Sequence, residues 1–292
     1  MKKRPLIENR LAFVKMQGLG NDYIYAEEFC NPLRNAAELA RRVSDRHFGI
    51  GGDGLVLIGD SAKADFSMRI FNADGSEAEM CGNAIRCVGK YVHDRGLTLK
   101  TGLTVETLAG VRSLKLSLQG YRVTAVRVDM GEPILEPARI PVKAAGKDFI
   151  DREITVNNEK YRGTAVSMGN PHLVVPVKDV DALDLAALGP LFENHPLFPR
   201  RVNTEFVQVI SRKEVRMRVW ERGSGETLAC GTGACATAVA CALNNLTDRK
   251  LTVHLAGGDL FIEWAQRGPV FMTGTATHVF DGEYLVPHDV TL

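Results

Sequence analysis

The chain has 292 residues, 45% hydrophobic and 24% charged, with a formal net charge of +1. That is the composition of a globular protein of one large domain or two, and its near-neutral charge argues against nucleic acid or an anionic membrane as the main partner. No apolar stretch is long enough to span a bilayer, and the basic start MKKRPLIENR has no apolar run of an export signal behind it.

Leu11 to Met16 reads as a strand running into GLGNDY, a turn that presents Asn21 and Asp22. The spacing predicts a short helix over about Ala36 to Val43. FGIGGDGLVLIG then offers Gly49, Gly51 and Gly54 as a formal G-x-G-x-x-G. The context is wrong for a dinucleotide site, because no apolar strand precedes it and a strand follows it; it reads as a glycine turn. Phe66 to Phe71 is a predicted strand, and Leu97 to Met130 alternates as an antiparallel meander. Pro133, Pro137 and Pro141 break that pattern and mark a domain boundary near residue 130. Further on, EITVNNEKY, TAVSMGNPHLVVPV, NTEFVQVI and EVRMRVW are strand-like, with a helix near Leu183 to Phe192. LTVHL, DLFIEW, VFMTG and THVF are the closing strands.

Two segments stand apart. In FNADGSEAEMCGNAIRCVGKYVHDR, Cys81 follows a polar loop and precedes Gly82, Asn83 and apolar positions at helical spacing (Ala84, Ile85, Val88, Tyr91, Val92), with Gly96 as a stop. About 150 residues on, ERGSGETLACGTGACATAVACAL repeats the design. There Cys230 precedes Gly231, Thr232 and a helix apolar on every side, which belongs in a core. Each cysteine thus sits at a helix N-terminus, where unpaired N–H groups and the dipole favour a thiolate or a bound carboxylate. Cys30, Cys87, Cys235 and Cys241 read as ordinary buried cysteines.

A metal pair, a redox pair and an acid/base pair are the chemistries open to two such thiols. No further Cys or His lies at ligand spacing, so no metal is expected. The six cysteines, none at Cys-x-x-Cys spacing, fit a reducing, cytoplasmic compartment. Inverting a carbon needs one group to take a proton from one face and another to deliver one to the opposite face, which two similar halves would supply.

The segments GLGNDY, FNADGSEAEMCGNAIR, MGNPH, NTEFVQV and ERGSGETLACGTGACA resemble the motif set of the diaminopimelate epimerase family, in the family's order and over essentially the whole chain. The two cysteine motifs alone would indicate only a wider superfamily that includes proline racemase-like enzymes. The resemblance implies a cofactor-independent isomerase interconverting LL- and meso-diaminopimelate, on the route to lysine and peptidoglycan precursors, with that small molecule as its partner. It implies an α/β (α+β) fold of two pseudo-symmetric domains, each a mainly antiparallel strand barrel around a central helix. The domains would be residues 1–130 plus 277–292 and residues 131–276, because in the family the last strands return to the first domain. A homodimer is implied as well.

Carried over by position, Cys81 and Cys230 match the catalytic thiols, one acting as base and the other as acid. Gly82 and Asn83 after the first, and Gly231 and Thr232 after the second, would hold the reacting α-carboxylate through backbone N–H groups. Asn21, Asn72, Asn170, Asn203, Glu221 and Arg222 match substrate-contacting positions, with Arg222 suited to a carboxylate and Glu221 to an ammonium. His172 would support a thiol from behind. Gly54 stands where some members have glutamine, so that contact is not carried over. Two other readings are a racemase of proline-type amino acids and a thiol switch. Asn83 and the Glu221-Arg222 pair argue against the first; the second predicts no exchange of an α-hydrogen with solvent.

Overall fold

The computed structural model describes residues 10–29 and 33–286. They fall in two compact units, one ending at Val126 and rejoined from Thr275, the other Arg127–Gly274. The sequence reading set these divisions at 130/131 and 276/277.

The first unit begins with β1 (Arg10–Gly18) and β2 (Asn21–Glu27), an antiparallel hairpin. Its two-residue turn holds Leu19 and Gly20 at φ of 57° and 85°, the geometry that matches strand twist and lets pairing resume at once. Asn21 therefore opens a strand, where the sequence reading had only a turn. The helix α1 (Ala36–Ser44) follows, buried through Leu39, Ala40 and Val43. Then come β3 (Gly54–Gly59), parallel to β2, and β4 (Phe66–Asn72), antiparallel to β3. With a strand and no helix after Gly54, the glycine-turn reading of FGIGGDG holds. A short β5 (Glu77–Ala78) pairs with β4 and precedes α2 (Gly82–Asp94). After α2, β6 (Gly102–Thr107) lies parallel to β4, β7 (Gly110–Gln119) is antiparallel to β6, and β8 (Arg122–Asp129) runs past the unit boundary.

The second unit opens with the hairpin β9 (Arg152–Val156) and β10 (Glu159–Ser167), turned by Asn157 and Asn158, both at positive φ. From β10 onward the pairing sequence of the first unit returns. β11 (Pro171–Pro176) is antiparallel to β10; after α3 (Leu185–Glu193), β12 (Asn203–Ser211) is parallel to β11. β13 (Glu214–Glu221) is antiparallel to β12, and the short β14 (Gly225–Thr227) pairs with β13. After α4 (Gly231–Leu243), β15 (Lys250–Leu255) is parallel to β13 and β16 (Gly258–Trp264) antiparallel to β15. β17 (Val270–Gly274) completes the unit. The chain then returns as β18 (Thr277–Leu285), antiparallel to β1 as β9 is to β10.

The repeat is one of topology, with each long helix inserted at the same point. It is the pseudo-symmetric, strand-rich α/β arrangement expected. α2 and α4 both have 13 residues. Ala84, Ile85 and Val88 of α2 and Ala234, Ala238 and Val239 of α4 are at most 1% exposed. Each larger aliphatic side chain so placed is worth about 1.5–3 kcal/mol relative to solvent. A second core in each unit lies under the shorter helix. Leu39, Val43, Leu55 and Leu57 build it in the first, and Phe192, Phe206, Phe149 and Phe198 in the second. No helix among the described residues is long and apolar enough to cross a membrane.

Candidate active site

Cys81 caps α2 from extended backbone (φ −135°, ψ 119°), and its sulfur accepts the Ala84 N–H at 3.5 Å. Cys230 caps α4 in the same way (φ −122°, ψ 109°), its sulfur accepting the Gly233 N–H at 3.4 Å. A side chain that accepts from the third helical residue is what an N-cap requires, and here sulfur replaces the usual oxygen. The next residues, Gly82 and Asn83 or Gly231 and Thr232, are the first of each helix, whose N–H groups have no intrahelical partner. No disulfide joins Cys81, Cys87, Cys230, Cys235 and Cys241 to one another. Cys87, Cys235 and Cys241 lie in the core as expected; Cys30 lies outside the described residues.

In the first unit the Cys81 S–H donates to Asn21 Oδ1 at 3.4 Å. The Asn21 amide is itself held, since its Nδ2–H donates to Asp53 Oδ2 at 2.7 Å. The same carboxylate oxygen accepts the Asp22 N–H at 3.0 Å, and Asp53 N–H returns a bond to Asp22 O at 2.7 Å. Arg46 bridges Asp22 and Asp53, and Lys15 pairs with Asp22 at 2.6 Å. Burial works to raise the Asp22 pKa, but its bonds to Arg46 and Lys15 outweigh burial and hold it below the usual value. Asn72 ends β4 opposite Gly54, and its Nδ2–H donates to Ser76 Oγ at 3.0 Å within its own turn. Tyr23, buried beside Cys81 and Asp53, has its phenol pushed well above the normal range, by burial first and then by those acidic neighbours.

In the second unit Cys230 is 5% exposed, and its sulfur lies 3.5 Å from Thr232 Oγ1. Burial raises the Cys230 pKa well above that of a free thiol, and the carboxylates of Glu221 and Glu205 push the same way. Gly233 explains how thiol and acid share so little space. A Cβ there would fall 2.6 Å from Glu205 Oε1 and 3.2 Å from Cys230 Sγ. His172, fully buried, places Nδ1 2.7 Å from Glu205 Oε1 and Nε2 3.0 Å from Asn170 Oδ1.

Asn203 lies opposite His172 in the parallel β11–β12 pairing, and its Oδ1 accepts the Arg222 N–H at 2.9 Å. Thr227 Oγ1–H donates to Glu221 Oε1 at 2.5 Å. The Glu221–Arg222 turn is held from α3. Glu193 accepts from Arg201 Nη1 at 2.8 Å, Trp220 Nε1 at 2.8 Å and the Gly223 N–H at 2.9 Å.

Thus Asn21 and Cys81 are brought into direct contact in one unit, and Asn170 with His172, and Asn203 with Arg222, in the other. Asp53, Glu193 and Glu205 were missed by sequence reasoning. Asp53 carried a faint signal, an acid inside a glycine turn where a bland turn needs none. Glu205 stood within a quoted segment, as the one charge in an otherwise uncharged strand. Among the described residues no three of His, Cys, Asp and Glu gather where a metal ion would be held.

The model of the family described as diaminopimelate epimerase matches residues 13–136 and 164–279. A diaminopimelate epimerase of Acetivibrio thermocellus is 58% identical over 274 residues, covering 94% of this chain and 98% of that protein. One from Methanococcus maripaludis is 55% identical over 274 residues, covering 94% and 99%. Among solved structures, a Bacillus anthracis phenazine biosynthesis protein of the PhzF family superposes with a TM-score of 0.69 at 17% identity, over 95% of this chain and all of that one. A hydroxyproline epimerase from Agrobacterium vitis gives 0.67 at 14% identity, over 94% and 92%. At such identities these two likenesses speak for the fold alone.

Proposed function

The chain belongs to the diaminopimelate epimerase family, and on that footing we propose that Cys81 and Cys230 are the two acid/base groups with which it interconverts LL- and meso-diaminopimelate, a reaction of lysine biosynthesis. One observation carries the assignment: the two units each deliver one cysteine, in matching N-cap geometry, to the start of a buried 13-residue helix.

The chemistry follows from that placement. One sulfur, as thiolate, takes the α-proton from one face of the substrate. The electron pair left on carbon delocalises into the α-carboxylate, so negative charge grows on its oxygens. N–H groups at the helix starts, at Gly82 and Asn83 and at Gly231 and Thr232, are the donors suited to that charge. The other sulfur, as thiol, delivers its proton to the opposite face. One C–H bond is broken and one formed, and the thiols exchange roles. No step calls for a cofactor.

The distal amino-acid head accounts for the remaining residues. Arg222 suits its carboxylate and Glu221 its ammonium, while Asn21, Asn72, Asn170 and Asn203 are neutral groups that fix chirality without adding charge. His172, bonded to Glu205, supports a thiol from behind. A cytoplasmic homodimer completes the reading; the exposed apolar side chains of Val279, Phe280 and Leu285 along β18 support a partner there.

The test is incubation with LL-diaminopimelate in deuterated water without added cofactor. Meso product carrying one α-deuterium, abolished in both Cys81→Ala and Cys230→Ala, is the expected result. Unimpaired turnover in either folded variant would remove that cysteine from the mechanism.

A further inference from the structure

Glu205 is a fully buried ionisable group that this scheme leaves unused. Its Oε2 has no hydrogen-bond partner among the described residues. An apolar side chain of similar volume would be cheaper to bury there. The ionisable groups around it come from three elements: His172 on β11, Glu221 on β13 and Cys230 at the start of α4.

The bonding along Asn170, His172 and Glu205 restricts where protons lie. Asn170 presents Oδ1 to His172 Nε2, and an amide oxygen only accepts, so Nε2 carries a proton. Nδ1, 2.7 Å from Glu205 Oε1, then either donates to a carboxylate or accepts from a carboxylic acid. In both forms one proton lies between Nδ1 and Oε1 and the pair has no net charge, which is what full burial favours. If that proton were lost, a neutral ring with its hydrogen on Nδ1 would leave Nε2 a bare acceptor. Asn170 would then have to turn over and offer its NH2 group to the ring.

The orientation of Asn170 decides what its outer end offers. With Oδ1 held by the ring, the NH2 group is left to face outward as a donor, the polarity a substrate carboxylate needs. We propose that Glu205 is a positioning residue: the proton it shares with His172 fixes which end of the Asn170 amide meets the substrate. The inference rests on Asn170 being a substrate contact.

The experiment is 15N NMR of histidine-labelled enzyme near neutral pH, with His172 identified by its loss in His172→Gln, beside steady-state kinetics of two variants. In the unaltered enzyme His172 Nε2 is expected at a protonated shift. Glu205→Gln, whose amide N–H donates to Nδ1, is expected to keep that shift and a near-normal KM. Glu205→Met leaves neither nitrogen fixed; its Nε2 shift should move toward the unprotonated value and KM for LL-diaminopimelate should rise about tenfold, with kcat changed less than about threefold. An unprotonated Nε2 in the unaltered enzyme overturns the proposal whether or not Glu205→Met folds. So does an equal rise in KM for both variants, or unchanged shift and KM in Glu205→Met. Asn170→Ala with unaltered KM would overturn the substrate contact, a failure separate from anything in the spectrum.

Discussion

Asp53 holds Asn21: one carboxylate oxygen takes the Asn21 Nδ2–H at 2.7 Å and the Asp22 N–H at 3.0 Å. With its NH2 group so engaged, Asn21 keeps Oδ1 turned to the Cys81 thiol. Asp53→Asn removes the charge without changing shape, and the amide loses its reason to prefer that orientation. We expect kcat/KM for LL-diaminopimelate to fall about tenfold, roughly 1.4 kcal/mol of transition-state stabilisation. A value within twofold of the parent would show that Asn21 is oriented by something else.

Glu193 plays the corresponding part for the Glu221–Arg222 turn. Its carboxylate gathers three donors from Arg201, Trp220 and Gly223, and Glu193→Gln turns an NH2 group toward at least one of them. Losing one of these part-buried hydrogen bonds costs about 0.5–1.5 kcal/mol. Because the turn carries the residues assigned to the distal head, the expected kinetic mark is a KM raised about tenfold with kcat nearly kept. A fall confined to kcat would place the turn at the reacting carbon instead.

Gly233 has no room for a methyl group, since a Cβ would stand 2.6 Å from Glu205 Oε1 and 3.2 Å from Cys230 Sγ. Both neighbours would have to move in a packed core, at a cost of about 1–3 kcal/mol. Gly233→Ala should therefore lower thermal stability measurably and reduce kcat about a hundredfold by displacing the thiol. Full activity would mean that the sulfur has slack to retreat.

The raised pKa of Cys230 has a sign that labelling can read. Thiolate is the species that reacts, and a pKa well above 9.0 leaves only a small thiolate fraction at neutral pH. Below the pKa, each unit of rise in pH multiplies that fraction about tenfold. Iodoacetamide modification of Cys230 in the free enzyme, followed by peptide mass spectrometry, should rise about tenfold per unit from pH 7 to 9 without levelling. A plateau below pH 8 would contradict the shift.

Much of this was legible in the sequence, for identifiable reasons. The helix α2 showed through apolar periodicity and α4 through an apolar run with no polar face, and the repeated Cys-Gly start marked where each begins. β2 was hidden because Asn21 and Asp22 are turn-formers, yet the Leu19-Gly20 turn is complete before them and the strand starts on Asn21. β5 and β14, of two and three residues, are too short for alternation to appear. The supports of the site were hidden for another reason. Glu205 meets His172 across 33 positions and Asp53 meets Asn21 across 32, pairings that only the parallel strand order creates.

The late return of β18 bears on how the chain matures. β1, which carries the buried Leu11 and Phe13, is bonded on one side by β2 and on the other by β18, some 260 positions later. During synthesis the second unit has all its strands before the first has its last one. Until β18 emerges, β1 offers an open edge with apolar side chains, the kind of surface that recruits foreign strands. A chain cut short just after Gly274 would thus keep every strand of its second half and leave the first unsealed, ready to aggregate through β1.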